Sequence, residues 1–202
     1  MQTEKILRMC LIICSVHAMV TPMMAQNDAH RPGKNMFAIG TGVGSPGGDL
    51  KQNMSSSPAL RLKYGYRFTR NTQVDLGWDT VFHAAGIRGD KRDYEYIVPI
   101  GGRVILPLFS ESFELFAGAG GAYLRYSEVP AYLGPGPTGV SRDGWGVYGT
   151  AGANVALEHR KHAWLGIEAQ YLKGATSGKF LETGVESKDR WLITTINLVF
   201  RF

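Results

Sequence analysis

The chain has 202 residues, a mean hydropathy of −0.11 and a formal net charge of +5, from 22 Lys and Arg against 17 Asp and Glu. This length suits one domain, and the mixed charge excludes a disordered polyelectrolyte. A protein with many membrane helices is also excluded, because no segment after residue 25 offers the roughly 20 consecutive apolar residues that one such helix needs.

The first 25 residues are predicted to be a cleaved secretory signal peptide. Lys5 and Arg8 precede an apolar run over 9–20, and Ala25 supplies a small residue at the preferred cleavage site, with cleavage after Ala18 as the alternative. A single N-terminal anchor helix is the competing interpretation, but the run is short for crossing a bilayer.

The exported chain is expected to be free of cysteine, because Cys10 and Cys14 both lie in the predicted signal peptide. We therefore expect no thiol, disulfide or cysteine-bound metal. Residues 26–34 are predicted to form a short N-terminal periplasmic segment, and residues 35–202 a single barrel domain.

Eight segments from Asn35 onward alternate apolar and other residues with the period of two that is typical of β-strands. Each is predicted to contain about ten residues. In chain order they lie at 37–43, 60–68, 74–82, 94–106, 113–125, 145–157, 165–171 and 192–202. Alternate links are short (69–72, 107–112 and 158–162) and the others long (45–57, 83–93, 127–143 and 173–190), as in a membrane barrel with short periplasmic turns and long external loops.

The two faces of these segments differ in a way that favours an inside-out barrel. One face is apolar, with aromatic residues near many strand ends, whereas the other combines glycine with charges of both signs. Such charges can form pairs inside a narrow barrel, where an isolated charge would be costly. The predicted interior network comprises Arg61, Lys63, Arg67, Asp75, Asp79, Glu95, Arg103, Glu168 and Arg201. A soluble barrel or sandwich stays open, because periodicity alone does not show which face is wet.

Several segments resemble the small outer-membrane β-barrel families, namely the OmpA transmembrane domain and its OmpX-like and porin-family relatives. The most specific is the final stretch 191–202, where apolar residues alternate up to Phe202. The segments 96–100, 116–123 and 166–171 are similar to the fourth, fifth and seventh strands of such barrels.

The resemblance implies an all-β fold, an eight-stranded antiparallel up-and-down transmembrane β-barrel in the outer membrane of a Gram-negative-type bacterium. Phe202, Phe200 and Leu198 resemble the signal read by the barrel-assembly machinery. The other expected partners are outer-membrane lipid and lipopolysaccharide, together with a possible surface ligand of the external loops. A nucleic-acid partner is not expected, because the basic residues do not cluster.

Three functions fit such a barrel. We favour an envelope scaffold and surface-loop interaction module, since loops on a rigid scaffold commonly carry binding. A narrow passive channel is the alternative, although eight strands leave an interior that side chains fill. A lipid A-modifying enzyme is less favoured, because His83 has no serine partner nearby in the sequence.

We expect no cofactor and no metal. Gly42 to Gly47 match G-x-G-x-x-G spacing, but a dinucleotide site would need a helix to follow, so we interpret the match as a strand end and turn. His159 and His162 are interpreted as part of a solvated turn.

Overall fold

The computed structural model describes residues 34–52, 54–82, 92–108, 112–129, 140–158, 161–180 and 183–202. The predicted signal peptide lies outside the described residues, as does the segment 26–34 apart from Lys34. His30, His83 and His159 lie outside them as well.

Eight antiparallel strands form one closed sheet in which each strand pairs with its neighbours in sequence and β8 pairs with β1. The strands are β1 (Asn35–Gly48), β2 (Ser57–Arg67), β3 (Thr72–Phe82), β4 (Arg92–Leu108), β5 (Phe113–Val129), β6 (Val140–Ala156), β7 (Ala163–Phe180) and β8 (Thr183–Arg201), with one 3-10 turn at Asp49–Gln52. The predicted eight-stranded up-and-down barrel is therefore confirmed. Among the described residues, no helix is long and apolar enough to cross a membrane.

The two ends of the barrel differ in their connections. β1 begins and β8 finishes at one end, which we call the turn end and which also carries the links after β2, β4 and β6. The opposite end, called the loop end, carries the links after β1, β3, β5 and β7.

The register of the strands sets the width of the barrel. Following paired residues once around from Gly47 leads back to β1 at Phe37, an offset of 10 residues. Such a stagger gives strands a tilt of about 40° to the barrel axis. A barrel of eight strands leaves an interior just wide enough for side chains.

Most strands extend farther toward the loop end than the sequence predicted. β2 and β3 have 11 residues each, but β4 to β8 have 17 to 19. The prediction of a long loop over 173–190 is wrong, because 173–180 belong to β7 and 183–190 belong to β8. Polar inward residues hold this extension together: the hydroxyls of Thr176 and Ser187 each donate to Asp189 at 2.6 Å.

The apolar face of the strands points outward. Leu62, Trp78 and Phe200 are 45%, 49% and 40% exposed, whereas the residues immediately before and after each of them on its strand are buried. Thr80 departs from the pattern: it is in register with outward Leu60, yet it is buried and accepts a hydrogen bond from Trp78 Nε1 at 2.9 Å. The soluble alternative, with the apolar face inside, is thus contradicted.

Candidate functional site

The interior of the barrel is the most distinctive chemical feature of the molecule. Because successive strand residues face opposite sides of a sheet, outward apolar positions place the residues between them inside. All nine charged residues predicted for the interior lie there with 0–6% of their surface exposed, namely Arg61, Lys63, Arg67, Asp75, Asp79, Glu95, Arg103, Glu168 and Arg201.

Arg61 and Asp79 form the best ordered pair of this interior. They lie directly opposite each other on β2 and β3. The Arg61 guanidinium donates from Nε to Asp79 Oδ1 at 2.6 Å and from Nη2 to Oδ2 at 2.8 Å, so the pair is bidentate. The Gln170 side chain donates to Asp79 at 2.9 Å and accepts from Arg61 at 3.1 Å, while Thr195 accepts from Arg61 at 3.2 Å. Four strands are thereby linked through one guanidinium.

Glu168 on β7 joins this pair to a second cluster. Its carboxylate forms ion pairs with the Lys63 ammonium, with Arg61 Nη1 at 3.0 Å and with Arg103 Nη2 at 3.6 Å. Thr150 Oγ1 also donates to it at 2.8 Å. Glu168 therefore contacts cations from both β2 and β4, which lie across the lumen from its own strand.

Arg103 completes the central network. It donates from Nε to Asp75 on the neighbouring β3, and its guanidinium carbon lies 4.4 Å from the ring centroid of Phe116 on β5. Gly65 on β2 leaves room for this cluster, because a Cβ there would lie 2.7 Å from Asp75 Oδ1 and 2.4 Å from Gln73 Nε2. The glycines of the inner face thus make space for long polar side chains.

A separate cluster closes the turn end. Glu114 accepts from Arg201 Nη1 at 2.9 Å and pairs with Arg67 at 3.4 Å. The Arg201 guanidinium lies 4.0 Å from the ring centroid of Trp164, which is fully buried. Two cations and one carboxylate from three strands, together with Trp164, Met36, Ala38 and Val199, fill this end of the lumen.

An apolar layer lies between the central ion pairs and the loop end, where Arg142 and Asp189 form a further pair at 4.0 Å. The layer consists of inward side chains from the strands together with Leu50 of the 3-10 turn, and we call it the inner apolar layer. Its members are Leu50, Ala59, Val81, Ile97, Ala122, Leu124, Tyr148, Leu172, Trp191 and Ile193, with Met54 packed against them. Trp191, Leu172 and Ile193 are fully buried. Tryptophan, leucine and isoleucine therefore occupy the lumen at this level.

Glu95 differs from the expectation that it would pair with the predicted cations. It is 1% exposed, and neither of its carboxylate oxygens has a hydrogen-bond partner within the described ranges. The reason is its level in the barrel, since Ile97, Pro99 and Gly101 occupy the inward positions of β4 between Glu95 and Arg103. Its charged surroundings come instead from Asp93, Asp189 and Arg142.

The glycine-rich match and the histidine of the predicted turn both lie in ordinary parts of the barrel backbone. Gly42 to Gly47 lie wholly within β1, so the strand continues past the point where we expected a turn, and the left-handed φ of 64° falls at Gly48. His162 is the last residue of the link between β6 and β7 at the turn end, where its Nδ1 lies 3.1 Å from the carbonyl oxygen of Arg201. These positions fit backbone roles.

Three parts of the interior were missed by the sequence reasoning. The alternation of β5 places Glu114 on the inner face between Phe113 and Leu115, so the sequence did contain a signal for it. Gln170 lies two residues after Glu168 on the same inner face of β7, where it is fully buried and bridges the central pair. The inner apolar layer had no such signal, because residues such as Val81 and Ile97 interrupt an otherwise polar inward pattern.

Three solved structures share this architecture. Neisserial surface protein A (NspA) aligns with a TM-score of 0.60 at 12% identity, covering 85% of this chain and 99% of its own. The outer membrane protein OprG from Pseudomonas aeruginosa aligns with a TM-score of 0.54 at 18% identity, covering 87% and 100%. Ail, the attachment invasion locus protein of Yersinia pestis, aligns with a TM-score of 0.53 at 15% identity, covering 84% and 100%.

These likenesses concern the fold. The chain has the fold of the small eight-stranded outer-membrane barrels, as the resemblance implied. No family model and no curated protein matches the sequence.

Proposed function

We propose that this protein is an outer-membrane β-barrel that acts as a rigid envelope scaffold and presents its external loops for interactions. One observation carries the proposal: the outer wall is apolar while the lumen holds interlinked ion pairs. In water this arrangement would expose the apolar face to solvent. In a bilayer the apolar face contacts acyl chains, while the charges pair with one another inside the lumen.

The height of the apolar wall supports a membrane location. On β8 and the residue after it, the outward positions run from Leu192 to Phe202 with Thr194 as the one polar member. Arg190 is the next outward position toward the loop end. Ten residues at a strand rise of about 3.3 Å and a tilt of about 40° give about 25 Å, the height of the apolar band of outer-membrane barrels. Trp145 and Tyr171, at 70% and 51% exposure, lie where an aromatic girdle is expected.

The filled lumen supports a scaffold in preference to a channel. Ion pairs bridge strands across the central lumen, the cluster around Glu114 fills the turn end, and the inner apolar layer lies toward the loop end. Removing one partner of a buried pair would leave an uncompensated charge, so these links also favour a single rigid barrel. We also propose that the protein is not an enzyme and uses no cofactor.

The partners follow from this placement. Outer-membrane lipid and lipopolysaccharide would contact the apolar wall, and the links at the loop end would meet a surface ligand. Leu198, Phe200 and Phe202 all point outward, and Phe202 exchanges two backbone hydrogen bonds with Asn35 at the seam between β8 and β1. We assign these three residues as the signal for the barrel-assembly machinery.

Membrane fractionation combined with single-channel recording tests the proposal. The full chain should fractionate with the outer membrane, migrate faster on gels before heating than after, and give no ohmic steps in planar bilayers. Recovery as a soluble monomer would contradict the membrane location. Steady conductance steps from the monomer would contradict the scaffold and favour the channel.

A further inference from the structure

The outer surface of β7 and β8 carries three exposed cations just beyond the apolar wall. Lys173 lies directly opposite Arg190 on the neighbouring strand, and Lys188 occupies the next outward position of β8, opposite Ala175. In the described part of the chain none of the three forms an ion pair, in contrast to the cations of the central network. Like charges directly opposite each other destabilise a sheet unless something neutralises them.

These cations border an open groove in the barrel wall of about 690 Å³. Its apolar side is formed by Trp145 and Val147 on β6, which are 70% and 65% exposed. Its floor includes the backbone of Gly146 and Gly174, which are paired on β6 and β7, and Ala175 adds only a methyl group on the outer face. The groove, which we call the basic groove, therefore joins an apolar surface to a positive rim.

Among the described strand residues at this level, the outward cations without a cross-strand acidic partner lie on one side of the barrel. At the same outward level β3 carries Trp78 and Phe82, and β4 carries Tyr94 and Tyr96. On β5 and β6, Arg125 lies directly opposite Asp143, so its charge has a cross-strand counterpart. Asp49 accepts a hydrogen bond from the backbone N–H of Lys188 at 3.2 Å, and Glu186 lies farther from the apolar wall on β8.

We propose that the basic groove binds the phosphate groups of the acylated, phosphorylated glycolipid of the outer leaflet. Lys173, Lys188 and Arg190 contact the phosphates, and an acyl chain lies along Trp145 and Val147. Guanidinium and ammonium groups both suit phosphate, the first by paired donors and the second as a point charge. An anion between Lys173 and Arg190 also removes their repulsion.

This inference rests on the proposed membrane location and adds a defined lipid site to it. A lipid A molecule satisfies both halves of the groove, because its phosphates lie at the boundary between headgroup and acyl chains. Free inorganic phosphate satisfies only the positive rim. Lipid A lacking phosphate satisfies only the apolar half.

The test compares three forms of the full chain refolded in a neutral detergent. They are the wild type, the variant K173Q/K188Q/R190Q, and the control K34Q/R125Q/K179Q, which loses the same charge from exposed positions away from the groove. Native mass spectrometry and titration would measure binding of lipid A, dephosphorylated lipid A and inorganic phosphate. Each basic residue near an anionic surface contributes about fivefold, so we expect the groove variant to bind lipid A about a hundredfold more weakly.

The outcomes separate the inference from the proposed function. We expect the control variant to bind lipid A with wild-type affinity within a few-fold. The wild type should bind dephosphorylated lipid A as weakly as the groove variant binds lipid A. Equal losses in both triple variants, or no loss in the groove variant, would overturn the site, as would strong binding of inorganic phosphate with no preference for lipid A. If the wild type gives no heat-modifiable barrel in detergent, the proposed function itself fails.

Discussion

Replacing Arg61 with methionine should destabilise the barrel far more than a lipid-facing substitution beside it. Arg61 is 1% exposed and donates to Asp79, Gln170 and Thr195. Its removal leaves the buried Asp79 carboxylate without a cation, which costs about 3–5 kcal/mol. Glu168 loses one of its cations but keeps Lys63, so the expected loss stays within that range.

The double variant R61M/D79L should recover much of this loss. Replacing both partners removes the uncompensated charge, and exchange of a buried ion pair for packed apolar residues is often close to neutral. Gln170 then loses both of its partners, which costs about 1–3 kcal/mol for a buried amide. The losses of stability in the single variants Arg61→Met and Asp79→Leu should therefore add up to at least about 3 kcal/mol more than the loss in the double variant.

Urea unfolding of barrels reconstituted in lipid vesicles measures these differences, with tryptophan fluorescence and gel mobility as independent signals. Leu62→Met is the matched control, because Leu62 is the outward neighbour of Arg61 and the exchange conserves volume, at a cost below about 1.5 kcal/mol. The reasoning is refuted if Arg61→Met is no more costly than Leu62→Met, or if the double variant is as unstable as the sum of the singles.

Three further substitutions test other parts of the molecule. Phe202→Glu should lower the yield of folded protein in the outer membrane, while Phe68→Glu, equally exposed at the turn end, should not; equal yields would contradict the assembly signal. Arg103→Glu should cost at least about 3 kcal/mol in urea unfolding, because it places a third carboxylate beside Asp75 and Glu168; near-neutral behaviour would argue against the network. Trp191→Ala should cost about 3–5 kcal/mol by emptying the centre of the inner apolar layer, yet produce no conductance steps, since the ion pairs still fill the lumen; steps would show that this layer is the seal.

The faces of the strands could be predicted from the sequence, because a period of two leaves only the choice between inside and outside. That choice followed from the glycine and paired charges of one face, which suit a narrow lumen and not a solvated surface. Leu62 and Lys63, for example, are placed outward and inward as the alternation and this choice require.

The strand ends at the loop end could not be predicted in the same way. Beyond the apolar wall both faces of a strand are polar, so the pattern that reveals a strand disappears. Residues 183–190 illustrate this, because Ser187 and Asp189 face inward while Lys188 and Arg190 face outward. The pairing of Glu168 with Lys63 across the lumen could not be predicted either. It depends on the stagger of the sheet and on the reach of the lysine side chain, and neither follows from the periodicity of the sequence.

The orientation of the wall is tested most directly by tryptophan quenching in vesicles with brominated acyl chains. In the variant W145F/W164F/W191F the remaining Trp78, which is 49% exposed on the outer face, should be quenched strongly by the brominated lipid and weakly by aqueous iodide. A variant that retains only Trp164, which is fully buried in the lumen, should be shielded from both. Strong iodide quenching of Trp78 with no response to brominated lipid would contradict a lipid-facing wall.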